Sequence, residues 1–526
     1  MTMRRVWTAC VALALCLFWA TASARTLERG NGPEPDSLDP QRAQGLSAQQ
    51  VLRDLYEGLL RDDAEGRLGP GVALRHSLSE DGLHYRFELD PAARWSDGEA
   101  VLAQHFVDAF ERALDPATGA PYAAMLRPIR GADARLRGDA EASLGVRAEG
   151  PHLLHIELAA AQGDFLRRLA MPIAFPLRMD QIAAHPRAYT RPGLLIGNGA
   201  YRLVEWTPQS SLTLERNPHY RRAAQVAIAK VRFHVTEDAA LEAKRYAAGE
   251  LHLTETLPPG QLASLREQHG AAVQVAPAFA SFYLGYNLRH PPLRDATGLR
   301  EALSLAVDRE VLVQHITGNG ELALETLIPA LPGAYQPAPS ALLDGDIAAR
   351  RERARELYAA AGYSAERPLE VELRYNQSLL NRRLALAVAA MWRETLGFQA
   401  RLRAEEWKVF VQNRRAGVIT QVFRAGWFAD YADPLNFLAP FRPGDPLNAT
   451  GFDAPGFATA LAAAEAASGA DRARRVQALE RSLLDAHALL PLFQYTSKHL
   501  VSPKLCGYRP HPLDHHPSEY FRWCGP

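Results

Sequence analysis

Arg424-Ala425-Gly426-Trp427-Phe428-Ala429-Asp430-Tyr431-Ala432-Asp433-Pro434 places a carboxylate just after a Gly–Trp pair in a largely apolar run. Such a run predicts that Asp430 is partly buried beside an aromatic wall, and a buried charge demands a partner. Two partners fit: an ammonium group carried into a cleft by a ligand, or an internal cation such as Arg424. The local pattern leaves both open.

Outward from this stretch, strand-like and helix-like patterns alternate. Period-two alternation occupies residues 85–89, 153–158, 211–215, 369–375 and 398–404. Phe106, Ala109, Phe110 and Ala113 form a helical stripe that Asp115-Pro116 stops. Residues 347–361 and 384–396 read as helices ending at Gly362 and Gly397. Ser47 with Gln50 reads as a capping box ahead of Val51, Leu52, Leu55 and Leu59. The alternation makes this an α/β chain. At roughly 150 residues per domain its 526 residues suggest about three domains. Neither repeats nor Ser/Pro/Gly-rich linkers separate them, so the domains are expected to share an interwoven chain.

Composition narrows the function. With 47% apolar and 22% charged residues, a disordered or fibrous chain is excluded. The 59 Lys and Arg balance 59 Asp and Glu, and no basic run is interleaved with aromatics, so no nucleic-acid partner is expected. Arg4 and Arg5 precede an apolar run over residues 6–20 and then Ala22-Ser23-Ala24. That is a secretory signal peptide over residues 1–24, cleaved after Ala24. The run is shorter than the ~20 residues a membrane-spanning helix needs, and Cys16 lacks the preceding small residue of a lipoprotein signal. Cys506 and Cys524 remain in the exported chain as a disulfide candidate, worth about 3 kcal/mol in the chain-entropy model. Two buried free thiols are the alternative.

Catalytic motifs are absent: there is no GxSxG elbow, HExxH, Walker-type loop or CxxC. Gly193, Gly197 and Gly199 lie in GLLIGNGAY, whose spacing fits a turn rather than a phosphate cradle. His511, His515 and His516 surround Asp514, a donor set suited to zinc or nickel. Pro510, Pro512 and Pro517 flank them, however, and the run reads as an exposed irregular tail. His152 and His155 are expected on opposite faces of a strand. No metal or cofactor is expected, and an exported hydrolase stays a remote alternative.

Further markers accompany the opening stretch, in this order: Arg29-Gly30-Asn31-Gly32-Pro33-Glu34 with Ser37-Leu38-Asp39-Pro40; Arg53-Asp54-Leu55-Tyr56-Glu57-Gly58-Leu59; Trp95-Ser96-Asp97-Gly98; Asp115-Pro116 with Pro121-Tyr122; and Asn198-Gly199-Ala200-Tyr201. Asn287 with Pro291-Pro292, Arg300 and Ala302 comes next, then Asp308-Arg309, Ala361-Gly362-Tyr363 and Glu406-Trp407-Lys408. In this order the chain resembles the periplasmic oligopeptide-binding protein family, the family 5 solute receptors of peptide ABC importers.

The resemblance implies a type II periplasmic binding protein-like fold of two lobes plus an extra domain, built from discontinuous segments. Residues 25–46, 181–280 and 497–526 would form lobe I, residues 47–180 the extra domain, and residues 281–496 lobe III. It implies a monomeric periplasmic receptor for oligopeptides, serving ABC transporter permease subunits at the inner membrane. Asp430 matches the carboxylate that holds the peptide α-ammonium. Gly426 and Phe428 match positions whose backbone pairs with the peptide as an added strand. Trp407 and Trp427 match pocket walls, Glu34 and Tyr122 match cleft positions, and Tyr495 matches a cleft tyrosine. Arg414 and Arg424 match cations near the ligand carboxylate. The chain departs from the enteric receptor at Gly285, where that protein has Glu, and at Phe428, where it has Cys. Murein peptides, or a non-peptide solute such as nickel, haem or a sugar, are alternative ligands within the family.

Overall fold

The computed structural model describes residues 25–338, 345–418 and 421–525; the signal segment lies outside them. Three sheets organise the chain. In the first, Thr26–Gly30 lies parallel to Lys230–His234, which continues antiparallel to Ser211–Arg216 and then Tyr201–Thr207. The second is an antiparallel sheet of Ala73–Leu78, His84–Leu89, Leu153–Glu157 and Val146–Ala148. The third has six strands in the order Leu322–Ala323, Leu489–Leu500, Val273–Tyr286, Val422–Phe428, Glu372–Asn376, Arg401–Glu405.

The first two sheets share one apolar core, running from Leu27 and Leu52 through Phe87, Phe106 and Phe110 to Phe233 and Phe521. The helix Ala103–Leu114 supplies its stripe as expected, and Asp115 then caps the turn at Pro116. The third sheet is covered on both faces. Phe282, Leu284 and Tyr286 point into one core with Trp392 and Phe398; Phe279 and Tyr283 point into the other with Phe423, Phe441 and Phe457. That split is the period-two alternation of a strand buried on both sides.

Val273–Tyr286 and Leu489–Leu500 pair along most of their length and run from the third sheet into the first body. There Leu253 bridges to both Arg29 and Val501. The expected boundaries near 280 and 497 fall inside these two continuous strands, the first at the register shift between Pro277 and Ser281. Among the described residues no helix is long and apolar enough to cross a membrane.

Local expectations need three corrections. The helix Leu46–Leu55 is capped at Gly45, not by Ser47, which is buried in its first turn; the Asp36 carboxylate instead accepts from Gln44 and Gly45 N–H at the entry. The helix ending at Gly397 begins at Leu379, because the Ser378 hydroxyl accepts from Asn381 N–H. The His511–His516 run is not an exposed tail. His511, His515 and His516 are only 1%, 5% and 6% exposed. The prolines keep the run irregular, but its backbone groups find other partners: Pro512 C=O accepts from Phe279 N–H, and His516 C=O from Arg29. Satisfied polar backbone is what allows an irregular segment to be buried. Cys506 and Cys524 are disulfide-bonded at its flanks, with Cα atoms 5.1 Å apart.

Candidate functional site

The strand Val422–Phe428 pairs with Val273–Tyr286 along its whole length on one side. On its other side Glu372–Asn376 meets it only at Val422 and Phe423. From Arg424 to Phe428, among the described residues, that second edge has no strand partner. Gly426 suits the position: a Cβ there would lie 3.2 Å from both the Ser281 carbonyl and the Tyr495 hydroxyl. The departure at Gly285 has a packing reason, because the Phe423 ring occupies the space a side chain would take.

Asp430 follows the strand. Burial pushes its carboxyl up to about 6, opposed by a hydrogen bond from the Asn436 side chain. No cation pairs with it among the described residues. The internal partner suggested by the sequence, Arg424, turns elsewhere: its Nη2 donates to the Tyr495 hydroxyl at 3.2 Å and its guanidinium lies over the Phe282 ring. Arg424 Nε is buried without a partner. Arg414, near the C-terminal end of the helix Trp407–Arg415, lies over Phe410 and has no ion pair among the described residues. Burial lowers its pKa, Tyr283 opposes this, and the neighbouring charge of Arg424 lowers it further. Two uncompensated guanidiniums thus share one region, lined by Tyr283 and Tyr495. Tyr495 also packs on the exposed Phe428, ring centroids 4.5 Å apart.

Tyr122 comes from the second-sheet body yet lies in the field of Asp430; burial first, then Asp430 and Asp36, push its hydroxyl up to about 12. Trp427 is partly buried, its Nε1 donating to Asn436 Oδ1 at 2.7 Å. Asp430, Tyr122, Arg424, Arg414, Tyr495, Gly426, Phe428 and Trp427 are therefore brought into one connected region. Glu34 and Trp407 are not tied to it. Glu34 accepts from Trp206 Nε1 at 2.9 Å and from the Gln209 backbone and side chain. Trp407 is 51% exposed at the start of its helix, with no ring contact or hydrogen bond to the others among the described residues.

Two features escaped the sequence. Asn436 is one, although the Asp433-Pro434 turn signal would have hinted that the chain folds back there. The other joins the bodies: Tyr431, next to Asp430, donates at 2.6 Å to Asp164, which also receives Arg168 and Gln162. Gly163 N–H donates to Glu465 C=O at 2.7 Å across the same junction. No local pattern marks a contact between residues so distant in sequence.

The histidines fall into two groups. His499 Nδ1 bonds Thr254 C=O, and its Nε2 shares Asp514 with His516 Nε2, so this trio satisfies itself. Asp62, His511 and His515 face a cavity of about 40 Å³. His511 Nδ1 accepts two backbone N–H groups, and the donor Arg53 approaches His515 Nε2. Each imidazole then carries its proton on the nitrogen left without a partner, His511 Nε2 and His515 Nδ1. Those atoms offer N–H donors rather than metal-binding lone pairs.

The family model "Bacterial extracellular solute-binding proteins, family 5 Middle" matches residues 67–448. The periplasmic oligopeptide-binding protein OppA of Escherichia coli K12 is 33% identical over 501 residues, covering 94% of this chain and 91% of that protein. The periplasmic murein peptide-binding protein MppA of the same organism is 34% identical over 492 residues, covering 93% and 91%. The solved unliganded open form of MppA matches with TM-score 0.84 and 32% identity, over 95% of this chain and 98% of that one.

Proposed function

The chain belongs to the bacterial extracellular solute-binding proteins of family 5, and from that membership we propose that it is a periplasmic receptor that closes two lobes over an extended oligopeptide. In this reading it delivers the peptide, as a monomer, to ABC transporter permease subunits at the inner membrane. The observation that carries the reading is the Asp430 carboxylate, packed at the end of an open strand edge and, among the described residues, without a cation.

Free peptides share an amine, a backbone and a carboxylate, and each has a counterpart here. Asp430 takes the α-ammonium. Gly426 and Phe428 offer backbone groups for β-augmentation, and Arg414 and Arg424 face the carboxylate end. At ~3.3 Å per residue, Arg424 to Asp430 spans up to about 20 Å, room for a peptide of several residues. Trp427 and Trp407 would wall side-chain pockets, with Tyr122, Glu34 and Tyr495 completing the cleft. We assign residues 25–46, 181–280 and 497–526 to lobe I, residues 47–180 to the extra domain and residues 281–496 to lobe III, with the signal cleaved after Ala24. Chemistry on the bound peptide has no part in this reading.

Calorimetric titration of the stripped protein with a plain tripeptide, its N-acetylated twin and a murein tripeptide tests it. Tight binding of free-amine forms alone is expected. Equal affinity for the acetylated twin would remove Asp430 as the amine anchor, and silence toward all three would remove the peptide. Selective uptake of the murein tripeptide would narrow the receptor to wall peptides, the ligand class in the name of a relative at 34% identity.

A further inference from the structure

We infer that Tyr431 is a positioning residue for the amine anchor: its ring and hydroxyl plug into the body of the first two sheets and so fix where the neighbouring Asp430 stands between the two bodies. The inference rests on the peptide-receptor reading and adds a residue to it.

Four consecutive residues are fastened on both sides of the junction. Ala429 N–H donates to Phe279 C=O at 3.2 Å, and Ala429 and Ala432 pack in the third-sheet core that holds Phe279, Leu435 and Phe437. Asp430 N–H donates to Asn436 Oδ1 at 3.2 Å, and Asp433 N–H to Tyr431 C=O at 2.8 Å, so the loop backbone is held by its own body. Tyr431 alone crosses. It is 5% exposed and belongs to the other core, the one that contains Tyr85 and Phe165.

The receiving side suits a phenol. Asp164, 1% exposed, precedes the short helix Phe165–Arg168. Its Oδ2 accepts from the Tyr431 hydroxyl at 2.6 Å and from Arg168 at 2.9 Å, its Oδ1 accepts from Gln162 at 2.7 Å, and the Arg168 guanidinium lies over the Tyr431 ring. Arg168 already compensates the carboxylate within its own body. The hydroxyl therefore adds a charge-assisted bond across the junction without carrying a charge into it.

Gly163, one residue earlier, lets the two backbones meet. Its N–H donates to Glu465 C=O at 2.7 Å, and a Cβ there would lie 2.6 Å from the Ala467 carbonyl oxygen and 3.0 Å from Arg472 Nε. The nearest atoms to that Cβ all belong to the third-sheet body, so a side chain at 163 strains the junction and spares the fold on its own side. The junction also sits beside the crossing strands, because Phe279 lies within the register shift between Pro277 and Ser281. A lobe movement about that crossing has its shortest lever arm here. Asp430 thus keeps its place against the opposite body while the rest of the cleft opens, and the anchor is preorganised before the peptide arrives.

Two variants loosen the junction without touching Asp430. Tyr431→Phe keeps the plug and removes the bond to Asp164; Gly163→Ala pushes the backbones apart. Calorimetric affinity for a free-amine tripeptide is measured for each, in the wild-type background and in Asp430→Asn. A loss of about tenfold is expected in the wild-type background, a coupling of the size that neighbouring groups show, and almost none in Asp430→Asn. Equal losses in both backgrounds overturn the proposal, since a residue that merely supports the fold weakens binding whether or not the anchor is there. Electron-spin distance measurements on the empty mature protein supply a readout free of ligand. Labels at Leu78→Cys and Leu386→Cys, both exposed, report on the two bodies, and the disulfide-bonded native cysteines do not react. The distribution should be narrow in the wild type and broader in Gly163→Ala; equal widths overturn the proposal. A wild type that binds no tripeptide sinks the peptide reading instead, and the distance comparison then decides the junction by itself.

Discussion

Glu57 and Asp430 are both carboxylates withdrawn from bulk water, yet one is crowded by cations and the other, among the described residues, has none. Glu57 receives Arg221 at 2.7 Å, Arg61 at 3.3 Å and the Tyr220 hydroxyl at 3.0 Å. Glu519, from the C-terminal segment, joins the same cluster through Arg61 and Arg222 at 2.7 and 2.8 Å. Along the open strand edge, two guanidiniums at one end and the Asp430 carboxylate at the other close no ion pair on one another among the described residues. Desolvated charge that is paired internally ties segments together; desolvated charge left unpaired is held for something that arrives from solution.

That contrast breaks if the two kinds of charge respond alike to substitution. Glu57→Gln leaves three arginines with only Glu519 and a distant Asp90 to balance them, and a loss of about 3–5 kcal/mol in urea unfolding is expected, with peptide affinity unchanged. Asp430→Asn should do the reverse. Affinity for a free-amine tripeptide falls by roughly 30- to several-thousand-fold in calorimetry, the 2–5 kcal/mol range of a truncated buried pair, while the empty protein loses no stability.

A pH signature sharpens the second case. The Asp430 carboxyl titrates near 6 in the folded chain against an ordinary value of 3.8. The folded state therefore holds that proton at a higher pH than the unfolded state does. Its contribution favours folding as pH falls from about 7 toward 4, while amine capture weakens over the upper part of that window. A melting-temperature difference between wild type and Asp430→Asn that does not change from pH 7 to pH 5 would refute the burial argument. The smallest effect belongs to Arg424→Gln. A peptide with a free C-terminal carboxylate should bind about tenfold more weakly and its C-terminal amide no differently, because Arg414 remains. A stability loss as large as that of Glu57→Gln would move Arg424 to the structural side of the comparison.

Much of this was legible locally. The stripe Phe106, Ala109, Phe110, Ala113 predicts its helix because burial repeats every 3.6 residues, and the Asp430 stretch announces an unusual carboxylate because neighbours in sequence supply its aromatic surroundings. Where partners are distant, local reading failed. Ser47 looked like a cap, but it lies inside the first turn, and Asp36 from upstream holds the Gln44 and Gly45 N–H groups that lead into the helix. His511, His515 and His516 looked exposed because prolines flank them, yet Arg29, Phe279 and the Cys506–Cys524 bond draw the segment inward.

The sequence by itself determined the α/β alternation and the family resemblance, and it singled out Asp430 as the carboxylate to propose as an anchor, since each is written in nearest-neighbour chemistry or in the order of short motifs. Only the tertiary structure decided which charges are spent on one another. Arg424 turns to Tyr495 rather than Asp430, Glu34 to Trp206, and Tyr431 to Asp164 across two bodies. A charge's partner is set by distances of a few ångströms between segments that may be hundreds of residues apart, and no local pattern encodes that distance.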